Sequence, residues 1–203
     1  MKMLMMIAPA LLMGSLALAE TKIPEGTYKV DVAHSKVGFE VTHLVVATVE
    51  GKFSEFEGTF NIDPKLDKSK VDIAIKAASI NTDNKDRDEH LRSPDFFDAK
   101  KYDKLTFKSK KISGTPEALK VSGDLTIHGV TKPVVLEAKY TGAVKDPWGN
   151  DRVAFRASTK INRKDFGLNW SKAVEVGPVV GDEVTLDLRI EAIKEKAATA
   201  AAK

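Results

Sequence analysis

Val184-Thr185-Leu186-Asp187-Leu188-Arg189-Ile190-Glu191 alternates apolar and polar residues without a break. Successive side chains of a β-strand point to opposite faces, so this stretch predicts a strand with one dry and one wet face. Two more stretches read the same way. Val37, Phe39 and Val41 oppose Lys36, Glu40 and Thr42, and Val71, Ile73, Ile75 and Ala77 oppose Asp72, Ala74 and Lys76. Further strands are expected over 27–33, 49–62, 104–112, 118–128, 134–144 and 152–161. Turn-forming residues lie between the runs, at Asp63-Pro64, Ser113-Gly114-Thr115-Pro116, His128-Gly129, Asp146-Pro147-Trp148-Gly149-Asn150 and Val176-Gly177-Pro178. Eight or nine strands with one short helical insert make an all-β protein, an antiparallel meander that closes as a barrel or stacks as a sandwich. No internal repeat is present.

One strand changes parity. Val49, Gly51 and Phe53 are odd, whereas Phe56, Gly58, Phe60 and Ile62 are even, so a bulge near Ser54-Glu55 or a turn between two shorter strands is expected. Glycines at 51 and 58 on the dry side bend a strand and leave room above it.

The run Arg87-Asp88-Glu89-His90-Leu91-Arg92-Ser93-Pro94-Asp95-Phe96-Phe97 interrupts the β pattern with a charged, helix-like block. Ser93-Pro94 reads as an N-cap followed by proline at the first helical position. On that reading the leading turn carries Asp95 and presents Phe96 and Phe97 to something apolar.

The N-terminus carries Lys2, an apolar run from Met3 to Leu18 and a small-residue close at Ala17-Leu18-Ala19, the three sections of a secretory signal peptide. Cleavage is expected after Ala19, and with Glu20 following, no lipoprotein cysteine is present. Removing 19 of the 203 residues leaves 184, suited to one domain over 20–193 with an alanine- and lysine-rich tail over 194–203 that frays. No other stretch is long and apolar enough to span a bilayer, so stable membrane insertion is not expected. The absence of cysteine removes disulfides and cysteine metal sites together. Charge is balanced, with 32 Lys and Arg against 29 Asp and Glu, and no basic stripe interleaves with aromatics. Nucleic acid is therefore not an expected partner.

All nine phenylalanines lie beyond residue 19. Phe39, Phe53, Phe56, Phe60, Phe107 and Phe155 fall on the dry faces, joined by Phe96 and Phe97. An eight-stranded barrel either fills its interior or holds one small ligand, and side-chain parity leaves both outcomes open. The histidines (His34, His43, His90, His128) have no short ligand spacing typical of zinc; His34 and His128 are expected to tie turns to the backbone. A hydrolase acting on a lipidic ester would use His90 with Asp88 or His34 with Ser35, but no nucleophile elbow supports it. No catalytic residue, metal or cofactor is assigned. Arg87 and Arg92 could fork onto a phosphate head, or pair with aspartate at the helix end.

Tyr28-Lys29-Val30-Asp31-Val32-Ala33-His34-Ser35, Phe39 to His43-Leu44, Gly51-Lys52-Phe53, the Arg87–Phe97 block, Leu105-Thr106-Phe107-Lys108-Ser109, Gly123 to Thr131 and Asn162-Arg163-Lys164-Asp165-Phe166-Gly167 together resemble the YceI-like family. The resemblance covers nearly the whole chain beyond the leader. It implies an exported, periplasmic, lipocalin-like barrel of about eight strands, with a helical insert near 85–101, that binds a polyisoprenoid or similar long-chain amphiphilic lipid. The ligand-binding residues expected on this basis are Phe39, Val41, Phe53, Phe56, Phe60, Phe107, Phe155 and Phe166 in the interior. Leu91, Phe96 and Phe97 are expected to turn inward from the insert, with Arg87, Asp88, His90 and Arg92 at the rim and Trp170 over a barrel mouth. Where the family reads Tyr-Pro after the helix, this chain has Tyr102-Asp103, which loosens the exit into the next strand. A packed, ligand-free, stress-related protein is the alternative on the same fold, and monomer and homodimer are both left open.

Overall fold

Each strand pairs with its neighbour in sequence, and the last returns to the first. The computed structural model describes residues 22–174 and 177–196. Strand β1 comprises Gly26–Val30 and Lys36–His43, with a short 3-10 turn at Val32–His34 between the halves. Strand β2 comprises Ala47–Phe53 and Phe56–Ile62, and β3 comprises Lys70–Lys76 and Ile80–Asn81. After helix α1 (Lys85–Arg92) come β4 (Lys104–Thr115), β5 (Ala118–Ile127), β6 (Val130–Lys145), β7 (Asp151–Asn162) and β8 (Val180–Lys194). The ladder runs β1 to β8 in order, and β8 pairs with both halves of β1, Val41 opposite Val184 and Val30 opposite Ala192. The result is a closed, antiparallel, up-and-down barrel of eight strands, the outcome the family resemblance implies and one of the two that the alternation leaves open.

The parity change in β2 has its expected cause. The strand breaks at Ser54-Glu55, where Ser54 N–H donates to the Ser79 carbonyl, and both Phe53 and Phe56 stay buried. Strand β3 breaks beside it at Ala77–Ser79, so the neighbouring strands bend together. Side chains of Ile80, Tyr28, Val153 and Phe166 are the largest that are wholly enclosed. Lys194, expected to begin a frayed tail, instead closes the β8 ladder opposite Tyr28, and Glu195 N–H donates to Thr27 O. The leader expected over residues 1–19 and most of the expected tail, residues 197–203, lie outside the described residues.

The helix begins earlier than Ser93-Pro94 suggests. Asn84 is the N-cap, its side chain accepting from Arg87 N–H, and Asp86 and Asp88 occupy the first turn, where the helix dipole favours them. Ser93 is the C-cap: its N–H and hydroxyl both donate to the His90 carbonyl. Proline disfavours a helical residue before it and cannot donate to the preceding turn, so Ser93-Pro94 stops this helix. Phe96 and Phe97 follow in a tight turn held by Phe97 N–H to Leu91 O and Asp98 N–H to Ser93 O. The exit at Tyr102-Asp103 is tied down without proline. Tyr102 N–H donates to Asp98 O, its ring packs on His128 at 4.5 Å, and Asp103 O accepts from Ala77 N–H.

Ile80 is 0% exposed where the insert meets β2 and β3. Ile80→Ala is expected to cost about 2–5 kcal/mol, because the cavity it leaves cannot collapse fully; urea unfolding followed by far-UV circular dichroism measures it.

Candidate functional site

The inward side chains do not fill the barrel. An apolar cavity of about 160 Å³ runs from Phe53 and Ile127 near the helical insert to Ile23, Leu66 and Ile112 at the opposite end. Phe39, Phe53, Phe56, Phe60, Phe107 and Phe155 all line it, as their parity predicts. Leu186, Leu188 and Ile190, the dry face of the opening stretch, line it too and remain only half-buried. Asn61, Ser69 and Lys70 border the cavity at that end, but the side chains of Asn61 and Lys70 alternate with the inward Phe60, Ile62 and Val71 and lie on the outer face, so the lining stays apolar. Asn61 and Lys70 are exposed and face each other across the β2–β3 ladder. Beside them the β3–β4 ladder stops at Asp72 opposite Lys108, and Val71 N–H donates instead to the Ser109 hydroxyl at 2.8 Å.

Several expected ligand contacts lie elsewhere. Val41 is half-buried beyond Phe39, toward the β1–β2 turn, and is not on the lining. Phe166, 2% exposed, is a core residue. It plugs the barrel where the β6–β7 ladder stops at Glu137 opposite Ser158. Phe96 and Phe97 diverge: Phe97 packs edge-on against Phe53 at 5.8 Å, and Leu91 also reaches the core. Phe96 instead packs at a tilt against Trp170 at 5.2 Å and edge-on against His90 at 5.1 Å, and His90 meets Trp170 edge-on at 5.2 Å. This aromatic triad joins the insert to the loop after β7.

The charged residues of the insert, expected at a head group, hold the insert to the barrel. Arg92 donates from Nε to the Ala78 carbonyl and from Nη2 to the Ile80 carbonyl, both at 2.8 Å. Arg87 donates from Nε to Thr82 Oγ1 and from Nη2 to the Thr82 carbonyl, both at 2.7 Å. The buried Asp88 carboxylate accepts from Thr82 N–H at 2.9 Å and from the Thr82 hydroxyl at 2.6 Å. His90 pairs with Asp95 and not Asp88, Nε2 to Oδ2 at 2.9 Å.

Two arginine hubs have no role assigned from the sequence: Arg163 lies within the Asn162–Gly167 stretch that carries the family resemblance, and Arg152 lies in none of those stretches. Arg163 is buried, donating to the carbonyls of Gly181, Leu168 and Trp170 and to Asp182, so it shapes the loop that seals the helix end. Arg152 lies at the other end, with Nη1 at 2.7 Å from Asp31 Oδ2 and 2.5 Å from Glu191 Oε1, and Nε at 2.8 Å from Asp146 Oδ2. Asp31, His34 and Glu191 bring three metal-ligating atoms within 4.8 Å of one another, but the Arg152 guanidinium already sits between both carboxylates as their ion-pair partner. His34 bonds the Asp31 carboxylate and His128 packs on Tyr102, so neither ties a turn to the backbone as expected. Ser35 is no nucleophile beside His34. Its hydroxyl donates to Glu191 O and accepts from Glu191 N–H, bridging the break in β1 to β8.

Burial alone would raise the Asp31 carboxyl, but hydrogen bonds from Arg152 and His34 outweigh it and hold the group below the ordinary carboxylate range. Asp146 behaves the same way and more strongly: burial opposes, while Arg152, the Asn150 side chain and the N–H groups of Asn150 and Trp148 prevail. A carboxyl depressed in the folded state contributes stability above its unfolded pKa of about 4, and that stability disappears as pH falls below it. The thermal midpoint is expected to drop steeply below about pH 4. Arg152→Leu should have a lower midpoint at pH 7 and a flatter acid limb, measured by calorimetry across pH 2–7.

The chain matches the YceI-like domain family over residues 28–192. It is 39% identical over 186 residues to a UPF0312 protein of Photorhabdus laumondii, spanning 90% of this chain and 94% of that one. The solved structure of Burkholderia cenocepacia BcnA superposes with a TM-score of 0.71 at 26% identity, covering 80% of this chain and 98% of that one. A polyisoprenoid binding domain from Saccharophagus degradans shares the fold, with a TM-score of 0.63 at 17% identity over 83% of this chain and 98% of that one. With its closed eight-stranded barrel and a family match from Tyr28 to Ala192, this chain belongs to the YceI-like family.

Proposed function

We propose that this protein is exported and binds a long-chain amphiphilic lipid, of which a polyisoprenoid is the leading candidate, holding the tail inside the barrel for carriage, storage or sequestration. The observation that carries the reading is the lumen, an apolar cavity lined by phenylalanine, leucine, isoleucine and valine side chains along the barrel. An apolar cavity of this kind stays dry and gains by admitting hydrocarbon. The tail lies along the phenylalanines, and the insert's arginines do not hold the head, since they are engaged with backbone carbonyls. The polyisoprenoid-binding relative of the same fold supports this ligand class, and the charged, apolar and small-residue sections of residues 1–19 support export to the periplasm.

No catalytic group is required for tight binding. At roughly 0.3 kcal/mol per heavy atom, a tail of about 40 atoms reaches ~12 kcal/mol, a nanomolar-scale affinity. Native mass spectrometry of protein purified from its own host should show a co-purifying lipid. A ligand-free mass, together with no uptake of polyprenyl phosphates, would contradict the reading. Leu188 lines the middle of the lumen. Leu188→Glu is expected to weaken uptake of a polyprenyl chain at least about tenfold, because an unpaired carboxylate in an apolar site disfavours the tail or draws in water; fluorescence titration measures it.

A further inference from the structure

Gly51 faces inward opposite Phe39 on the adjacent strand, and a Cβ built on it would lie 2.2 Å from Phe39 Cζ and 2.6 Å from Phe39 Cε1. Real carbons do not approach so closely. The phenyl ring therefore rests in the space a side chain at 51 would occupy, pressed against the wall. The same Cβ would lie 2.9 Å from Thr82 Cγ2, so the seat is bounded by a methyl group on its other side. That methyl cannot swing away. The Thr82 hydroxyl donates to Asp88 Oδ1 and accepts from Arg87 Nε, which together fix the side-chain rotamer. Two other interior positions repeat the contact, Ile73 Cδ1 at 2.2 Å over Gly58 and Phe107 Cζ at 2.6 Å over Gly123. Phe39, Ile73 and Phe107 all line the cavity.

We propose that Gly51 and Thr82 set the bore of the lumen at its helix end, and that Arg87 and Asp88 are positioning residues that act on it through the Thr82 methyl. The seat holds Phe39 flat against the wall and leaves the axis open. A filled seat drives the ring inward, since Thr82 is locked and the lumen is the free direction. A methyl-branched chain is thicker than a straight one, so a narrowed bore excludes it first. The inference rests on the lipid-binding reading, with branched chains as the favoured class.

Gly51→Ala, Thr82→Ser and the double variant Phe39→Leu/Gly51→Ala test it. Displacement of an anilinonaphthalene sulfonate dye by geranylgeraniol and by hexadecanol reads the bore, with near-UV circular dichroism and thermal midpoints in parallel. Gly51→Ala should weaken geranylgeraniol by about tenfold or more and hexadecanol less, and the double variant should restore both. Thr82→Ser keeps the hydroxyl network and removes only the methyl. It should leave stability near wild type and shift preference toward the branched alcohol. A folded Gly51→Ala protein that binds both alcohols like wild type overturns the inference. If Gly51→Ala does not fold, recovery of fold and binding by the double variant supports it, and no recovery overturns it. If the wild type binds neither alcohol, the lipid-binding reading fails first. Crystal structures of the wild type and of a folded seat variant then decide the bore by the position of the Phe39 ring, which the inference requires to move.

Discussion

The pairing of β8 with both halves of β1 is the constraint on which the rest of the molecule depends. A closed ladder satisfies the wall's backbone groups strand to strand, so the barrel does not need a solid interior to hold its shape. The hollow lumen is a consequence of that closure. Closure is most vulnerable where β1 breaks at Val32–His34, and polar groups gather there. Ser35 clamps the Glu191 backbone, Asp31 N–H donates to Glu191 O, and Arg152 joins Asp31, Asp146 and Glu191 across three strands and a loop.

The two ends of the barrel differ in kind. At the helix end, Arg92 and Arg87 grip backbone carbonyls of the β3 break and of Thr82, Phe97 meets Phe53, and the Phe96–His90–Trp170 triad joins the insert to the loop shaped by Arg163. At the opposite end, the β3–β4 ladder stops short at Asp72 opposite Lys108, and the lumen is lined by Ile23, Ile62, Leu66 and Ile112. A block of charge that looks made for chemistry or for a head group is instead the fastening of the closed end.

Period-two alternation made the strands legible because it is local: each residue's face is set by its neighbours. The six strand phenylalanines on the lumen and the break at Ser54-Glu55 follow from that rule alone. Partners across the fold are a different matter. Arg87, Asp88 and Arg92 have the same residue types whether they grip a phosphate or a carbonyl, and only the fold brings Thr82, Ala78 and Ile80 under them. Ser93-Pro94 was ambiguous for a local reason, since serine caps either helix end and only Asn84, nine residues earlier, resolves which. Val41 has the correct parity and still misses the lining because depth along the barrel is not encoded in alternation. Phe96 and Phe97 diverge because a turn, not a helix face, presents them. Arg152 lacks a motif of its own; its three carboxylate partners come from β1, β8 and the β6–β7 loop.

The central claim is that the interior of this barrel is an apolar lumen that holds a lipid tail. A crystal structure of the protein isolated from its own host, without lipid extraction, tests it most directly. Elongated density running along Phe39, Phe60, Phe107 and Phe155 is the expected result. A lumen collapsed by inward rotation of those phenylalanines, or filled by hydrogen-bonded water, would contradict it.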